Sequence, residues 1–124
     1  MKDFRELKVW HKAHSLALAV YRGTKNFPQD ERFGLTAQMR RAAVSIPSNI
    51  AEGCGRATDR DLARFCTIAA GSATELKYQL LLAKDLGFLK DDEHNALVDM
   101  ASEVTKMIHK YTDYLSRGAG RSGA

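Results

Sequence analysis

Four segments of the sequence place apolar residues three or four positions apart, and this spacing constrains the fold more than any other feature. Side chains at that spacing share one face of an α-helix, whereas a half-buried strand alternates apolar and polar residues. The stripes predict helices over about residues 8–27, 30–53, 58–87 and 92–116. The chain has only two prolines, and the breaks between the stripes are short, which leaves little room for β-structure.

The breaks contain residues that end or begin helices. Pro28 should end the first helix, because proline lacks a backbone N–H and restricts the residue before it. Asp30 and Glu31 are typical of an acidic first turn and predict the start of the second helix. Thr58, followed three positions later by an aspartate, resembles an N-terminal capping pair, and Gly87 is expected to close the third helix.

Pro47 lies inside the second apolar stripe. A proline in a helix interior removes one hydrogen bond and clashes one turn back, at a cost of about 3 kcal/mol. Ile46 and Ile50 nevertheless stay on the same stripe on either side of it. We therefore predict one continuous second helix with a bend at Pro47.

The number and spacing of the helices define the fold class. A chain of 124 residues fits one domain. Because the three connections are short, neighbouring helices should be antiparallel. This predicts an all-α, up-down-up-down four-helix bundle over residues 1–116. The glycine-rich segment 117–124 is expected to be a flexible tail.

The sequence lacks the features of several other protein classes. Its longest apolar stretches, such as residues 78–83, fall far short of the roughly 18 residues of a membrane span. The charged N-terminus does not resemble a secretory signal, so we expect a cytoplasmic protein without a membrane partner. Cys54 and Cys66 lack metal-ligand spacing and are expected to be free thiols, with no metal site. Motifs for a catalytic nucleophile or a cofactor are missing, so we expect neither an enzyme nor a cofactor.

A line of polar residues runs beside the apolar stripe of the second helix. At 100° per residue its members fall within about an 80° arc. They are Gln38, Arg41, Ser45, Asn49 and Glu52. A shorter line on the third helix consists of Ser72, Glu75 and Gln79. We predict that the residues of the first line are largely shielded from solvent and that both lines form a structural polar network or a subunit contact. The alternative is a binding groove between the two helices.

Positive charge is concentrated in the first half of the chain. Residues 1–64 contain 12 Lys or Arg against 7 Asp or Glu, whereas residues 65–124 contain 7 against 8. Five arginines on the second helix and around the start of the third form a candidate nucleic-acid-binding set, because such groups neutralise phosphates. They are Arg40, Arg41, Arg56, Arg60 and Arg64. No aromatic residues interleave with them, so a solvated basic face is the alternative.

Three stretches of the sequence, taken together, match the pattern of one known protein family. Residues 45–53 read Ser-Ile-Pro-Ser-Asn-Ile-Ala-Glu-Gly. With the surrounding segment 27–53, the opening segment 7–13 and the later segment 68–76, this run resembles the four-helix-bundle proteins encoded in 23S ribosomal RNA intervening sequences. The similarity spans roughly residues 4–116 and departs from the pattern at Cys66, where a larger apolar residue is expected.

The resemblance implies properties that helical periodicity does not show. Members of the family assemble into rings, typically homopentamers, and most have no assigned activity. A related protein, the accessory variability determinant of diversity-generating retroelements, works beside a reverse transcriptase and binds nucleic acid through a basic surface. We therefore expect a non-enzymatic, ring-like homo-oligomer that associates with RNA or DNA, and a reverse transcriptase partner by family analogy alone. The alternative is a structural or protein-partner module without nucleic-acid binding.

Overall fold

Four α-helices and two short 3-10 helices make up the protein in the computed structural model, which describes residues 2–122 and the side chains of residues 2–118. Helix α1 spans Lys8–Gly23, α2 spans Leu35–Cys54, α3 spans Asp59–Asp85 and α4 spans Asp91–Ser122. The 3-10 helices are Phe4–Glu6 and Gln29–Glu31. No strand occurs in this part of the chain, so the all-α prediction is confirmed.

The four helices enclose one hydrophobic core. Helix α1 packs against α2 and α4, and α3 packs against the same two helices, so α2 and α4 lie on opposite corners of the bundle. Each helix contributes apolar side chains that are completely or almost completely buried, including Leu16, Ile46, Leu76 and Ile108. Each also contributes a fully buried alanine, and these are Ala13, Ala43, Ala73 and Ala101. The small alanine side chains let neighbouring backbones approach closely, and the predicted stripes face this core.

Helix α1 ends at Gly23, four residues before its predicted end. The hydroxyl of the buried Thr24 donates a hydrogen bond to the carbonyl oxygen of Val20 at 2.8 Å. The Phe27 backbone N–H then donates to the Thr24 carbonyl at 3.1 Å and forms a turn. Phe27 still packs on the core, because its ring lies 5.5 Å from that of Phe88. Phe27 therefore contributes to the hydrophobic core although it lies in the turn after α1 and not in a helix.

Helix α2 begins at Leu35, so the prediction of a start at residue 30 is wrong. Asp30 and Glu31 lie in the 3-10 helix that precedes it. Glu31 nonetheless serves α2, because its Oε1 accepts a hydrogen bond from the Leu35 backbone N–H at 3.1 Å. A Cβ atom at Gly34 would lie 2.8 Å from that oxygen. The lack of a side chain at Gly34 therefore leaves room for the Glu31 carboxylate, which caps α2 from the preceding 3-10 helix.

Helix α2 continues through Pro47, as predicted. Pro47 is buried, and Ile46 and Ile50 are both fully buried on either side of it. Burial of these side chains offsets the hydrogen bond that proline removes. Continuity of the helix is thus confirmed, while the bend at Pro47 stays a prediction.

The predicted caps of α3 are confirmed at both ends. At the first end the Thr58 hydroxyl oxygen accepts a hydrogen bond from the Asp61 backbone N–H at 3.1 Å. At the second end Gly87 adopts a left-handed conformation with φ of 82°. The Phe88 N–H donates to the Ala83 carbonyl and the Gly87 N–H to that of Lys84, both at 2.9 Å. This pair of bonds is the Schellman motif, which requires a residue that tolerates positive φ.

Helix α4 extends to Ser122, past the predicted end at residue 116. Glycine lowers helix stability by about 1 kcal/mol per residue but, unlike proline, does not remove a hydrogen bond. The tail predicted over residues 117–124 is therefore helical in its backbone as far as Ser122. Its flexibility stays a prediction, because the side chains from residue 119 and the whole of residues 123 and 124 lie outside the described part of the chain.

Candidate functional site

The centre of the polar line on α2 joins α2 to α3. The hydroxyl oxygens of Ser45 and Ser72 are 2.9 Å apart and share a hydrogen bond. The Asn49 side-chain amide donates to the Ser45 carbonyl at 2.8 Å and to the Ser45 hydroxyl oxygen at 2.9 Å. All three residues are half-buried. This part of the line forms the interhelical polar network that the sequence predicts.

The ends of the polar line are exposed. Gln38, Arg41 and Glu52 on α2 and Glu75 on α3 all have exposed side chains in the single chain. Shielding within the bundle is therefore wrong for Gln38, Arg41 and Glu52, and Glu75 of the shorter line is exposed as well. Shielding by a second subunit stays a prediction.

A groove of about 410 Å³ lies between α2 and α3 at this exposed edge. Its walls consist of Leu35, Gln38, Arg41, Glu75, Tyr78, Gln79 and Leu82. Gln79 is only 5% exposed, and its side-chain oxygen has no hydrogen-bond partner among the described residues. A buried acceptor without a partner costs about 1–3 kcal/mol. A water molecule, a ligand or another chain that donated a hydrogen bond to the Gln79 oxygen would therefore stabilise the protein.

The five candidate arginines fall into two groups. Arg40 and Arg41 lie in the second turn of α2, whereas Arg56, Arg60 and Arg64 surround the connection from α2 to α3. Sixteen residues separate Arg40 from Arg56, which corresponds to roughly 24 Å along a helix at 1.5 Å per residue. The structure therefore does not unite the five side chains in one patch.

Arginines around the α2–α3 connection are partly engaged already. The guanidinium carbons of Arg56 and Arg64 each lie 4.8 Å from the centre of the Phe65 ring. Arg64 also forms an ion pair with Asp61 at 3.7 Å. Arg60 is exposed and extends from the first turn of α3. These contacts reduce the charge that Arg64 can offer to an anion.

Arg40 is held in a fixed position between α1 and α2. Its Nε–H donates to the Thr24 hydroxyl oxygen at 3.0 Å, and one Nη donates to the Tyr21 carbonyl at 3.4 Å. The guanidinium carbon lies 4.6 Å from the centre of the Tyr21 ring, which is a cation–π contact. Arg40 is half-buried, and none of the ion pairs among the described residues involves it. Its charge is therefore oriented but not neutralised.

A second groove, of about 660 Å³, lies along the face of α1 and α2. We call it the arginine groove, and its walls consist of Tyr21, Arg32, Phe33, Thr36, Ala37, Arg40, Arg41, Val44, Ser45 and Ser48. Three arginines and no carboxylate line it. Two aromatic rings are accessible there, since Tyr21 is 45% exposed and Phe33 is 85% exposed. The Arg32 guanidinium carbon lies 5.3 Å from the centre of the Phe33 ring.

Tyr21, Arg32 and Phe33 are not among the residues predicted for the site. The sequence shows no aromatic residues interleaved with the arginines, but the structure places Tyr21 under Arg40 although 19 positions separate them. That contact depends on how α1 packs on α2 and has no local pattern. The adjacent pair Arg32-Phe33, an arginine beside a large apolar residue in a connection, was the available signal.

Both cysteines are buried free thiols, as predicted. Burial, with a smaller effect from Cys54, raises the pKa of the Cys66 thiol to about 12. Cys66 is fully buried in the core, so its small side chain fits the place where a larger apolar residue was expected. Within residues 2–122, no three histidine, cysteine or acidic side chains are grouped as a metal site would need. No helix in that range combines the length and hydropathy of a membrane span.

Comparison with known proteins agrees with the fold and identifies the family. A crystal structure of a protein of unknown function from the S23 ribosomal protein family of Bacteroides thetaiotaomicron superposes with a TM-score of 0.75 at 21% identity, covering 84% of this chain and 97% of that one. No curated protein matches the chain. The model of the 23S rRNA-intervening sequence protein family matches residues 5–110, most of the sequence, and the chain belongs to that family.

Proposed function

We propose that the protein is a non-enzymatic, oligomeric scaffold that associates with nucleic acid through its arginines. The observation that carries this proposal is the arginine groove, where Arg32, Arg40 and Arg41 meet with no carboxylate on the walls. A guanidinium is a planar fork of donors that suits phosphate oxygens. Arg40 is already oriented by Thr24 and Tyr21, so less conformational entropy is lost when an anion binds.

The two arginine groups suit a long polyanion better than a small anion. They lie at the two ends of α2, roughly 24 Å apart by the helical rise. Only a strand long enough to span that distance could contact both groups at once. Repetition of the groups around a ring would raise the effective concentration of the second contact once the first is made.

Antiparallel neighbours and a ring-like assembly are part of the proposal. The start of α2 and the end of α3 line one groove through Leu35 and Leu82, and Gly53 near the end of α2 lies against Leu62 near the start of α3. This supports an up-down arrangement of α2 and α3. The exposed ends of the polar line and the partnerless Gln79 oxygen are the kind of surface that a second copy would cover.

Light scattering tests the assembly. A homo-oligomer should have a mass that is a multiple of 13.8 kDa at micromolar concentration, and a pentameric ring should have five times that mass. A mass near 13.8 kDa would contradict the oligomer.

Fluorescence anisotropy tests nucleic-acid association. Labelled RNA and DNA are titrated with the wild-type protein at low and at moderate salt, and we expect binding that weakens steeply as salt rises. Arg32→Ala/Arg41→Ala should weaken binding, whereas Lys106→Ala/Lys110→Ala, which removes the same charge from exposed positions on α4, should change it less. Absence of binding at low salt would overturn the proposal.

The second candidate function is a structural or protein-partner module. The groove between α2 and α3 favours it, because Gln38, Arg41, Glu75 and the partnerless Gln79 oxygen offer both donors and acceptors to a polar protein surface. A reverse transcriptase, the partner implied by family analogy, would fall in this class. An oligomer of normal mass that binds neither RNA nor DNA would support this candidate over the first.

A further inference from the structure

We propose that the arginine groove binds an unpaired nucleic-acid strand, with a base stacked on Phe33 and the neighbouring phosphate held by Arg40. This inference rests on the proposed function and specifies the kind of strand and the residues that select it. It requires three features in one place: an accessible ring, an oriented cation and a cleft large enough for a nucleotide. The groove supplies each of them.

Phe33 supplies the accessible ring. It lies just before α2 and is 85% exposed, the largest exposure of any large apolar side chain among the described residues. Leaving a phenylalanine in water costs about 2 kcal/mol relative to burying it, so an occupant of the groove that covers this ring would gain that free energy. The face of a nucleobase is such an occupant, and stacking on an aromatic side chain contributes about 1–3 kcal/mol per base.

Arg40 supplies the oriented cation. Two of its five N–H donors are used by Thr24 and Tyr21, which leaves the others for a phosphate oxygen on the groove side. The Tyr21 ring beneath the guanidinium and the absence of a carboxylate from the groove walls keep the positive charge fixed and available. Arg32 and Arg41 on the same walls extend this potential along the cleft.

The cleft has a suitable size for part of a strand. Its volume of about 660 Å³ falls within the roughly 300–1,000 Å³ of sites that take small organic ligands. In a duplex, each base is stacked between its neighbours and has no free face for a protein ring. The accessible aromatic face therefore favours an unpaired strand, because phosphate contacts alone would accept either form.

A second copy of this chain is the competing occupant. Phe33 could insert into a neighbouring subunit, since exposed aromatic residues are also common at protein interfaces. Insertion of Phe33 into an apolar part of a neighbouring subunit would leave Arg32, Arg40 and Arg41 beside it without anionic partners, whereas a strand supplies one phosphate per nucleotide. The test separates the two occupants by measuring mass and binding in the same variants.

The test compares three probes of equal length: oligo-uridine RNA, oligo-thymidine DNA and a DNA duplex. Phe33→Ala should lose about tenfold in affinity for both single strands, the equivalent of one stacked base, and little for the duplex. Phe33→Tyr should retain binding because it keeps the ring. Tyr114→Ala removes a 56% exposed ring from α4 and serves as the matched control, with binding unchanged.

Two results would overturn this inference without affecting the proposed function. One is a Phe33→Ala variant that binds single strands as tightly as the wild type. The other is a Phe33→Ala variant whose mass falls and whose affinity drops equally for all three probes, which would place Phe33 in a subunit contact. If the wild type bound none of the three probes at low salt, the proposed function itself would fail.

Discussion

Gly53 of α2 lies so close to Phe65 of α3 that a methyl group added at Gly53 would be 2.9 Å from the Phe65 Cβ atom. The same methyl group would be 2.9 Å from Leu62 Cδ1 and 3.3 Å from its Cα. Glycine at this position therefore sets how closely the two helices approach. It also fixes the corner where Phe65 lies beneath the guanidinium groups of Arg56 and Arg64.

Gly53→Ala should destabilise the protein by about 1–3 kcal/mol, because the added methyl overpacks a contact that includes backbone atoms. Gly71→Ala is the matched control, since Gly71 is an exposed residue inside α3 and a Cβ there would meet nothing within 4 Å. The control should gain up to about 1 kcal/mol from helix propensity. Urea denaturation of both variants measures these changes, and a Gly53→Ala protein as stable as the wild type would contradict the close approach.

The hydrogen bond between Ser45 and Ser72 should couple α2 to α3. Ser45→Ala also deprives the Asn49 amide of one acceptor, so it should cost more than Ser72→Ala. The double variant should lose less than the two single losses added together, with a coupling free energy of about 0.5–1.5 kcal/mol. Losses that are simply additive in denaturation experiments would show that the two hydroxyls do not interact.

Burial of the Cys66 thiol makes stability depend on alkaline pH. Because its pKa rises from about 9 to about 12, the folded state holds a proton that the unfolded state releases first. The stabilisation is complete below pH 9 and is lost as the pH rises from 9 to 12. Burial also raises the pKa of Tyr111, so this residue too makes the folded state less stable as the pH rises, at higher pH than Cys66 does. Cys66→Ala should therefore show a flatter decline in melting temperature above pH 9 than the wild type does, and identical profiles would contradict this account.

Sequence patterns predicted the features of the fold that depend on neighbours along the helix. The stripes around Ile46 and Ile50, the cap at Thr58 and the positive φ at Gly87 all follow from local chemistry. The start of α2 was misplaced because Glu31 caps that helix from outside it, and acidic residues inside and outside a first turn look alike in sequence.

The candidate site was less predictable than the fold. The five arginines were found by their charge, but their division into two groups depends on the length of α2. The aromatic walls of the arginine groove depend on the packing of α1 on α2, which brings Tyr21 under Arg40. Phe33 lies off the apolar stripe that continues through Ile46 and Ile50, and its pairing with Arg32 is a local signal, but its place on the groove wall depends on how the helices pack.

The salt dependence of nucleic-acid binding should distinguish the two arginine groups. Each phosphate neutralised on a single strand contributes about 0.7 to the slope of log affinity against log salt. Arg32→Ala/Arg41→Ala should therefore reduce the magnitude of the slope by about 1.4, since it removes two side chains that have no ion-pair partner among the described residues. Arg56→Ala/Arg60→Ala/Arg64→Ala should weaken binding but lower the slope by less per arginine, because Asp61 already partly neutralises Arg64.

Both variants must be compared at equal oligomeric mass, because loss of the ring would lower the apparent affinity through valency alone. Anisotropy titrations at four or more salt concentrations give the slopes. If the triple variant reduced the magnitude of the salt slope by more per arginine than the double variant did, the α2–α3 connection, and not the arginine groove, would be the principal phosphate contact. Equal slopes in the wild type and both variants would show that neither group touches phosphate, and binding would then have to come from another surface.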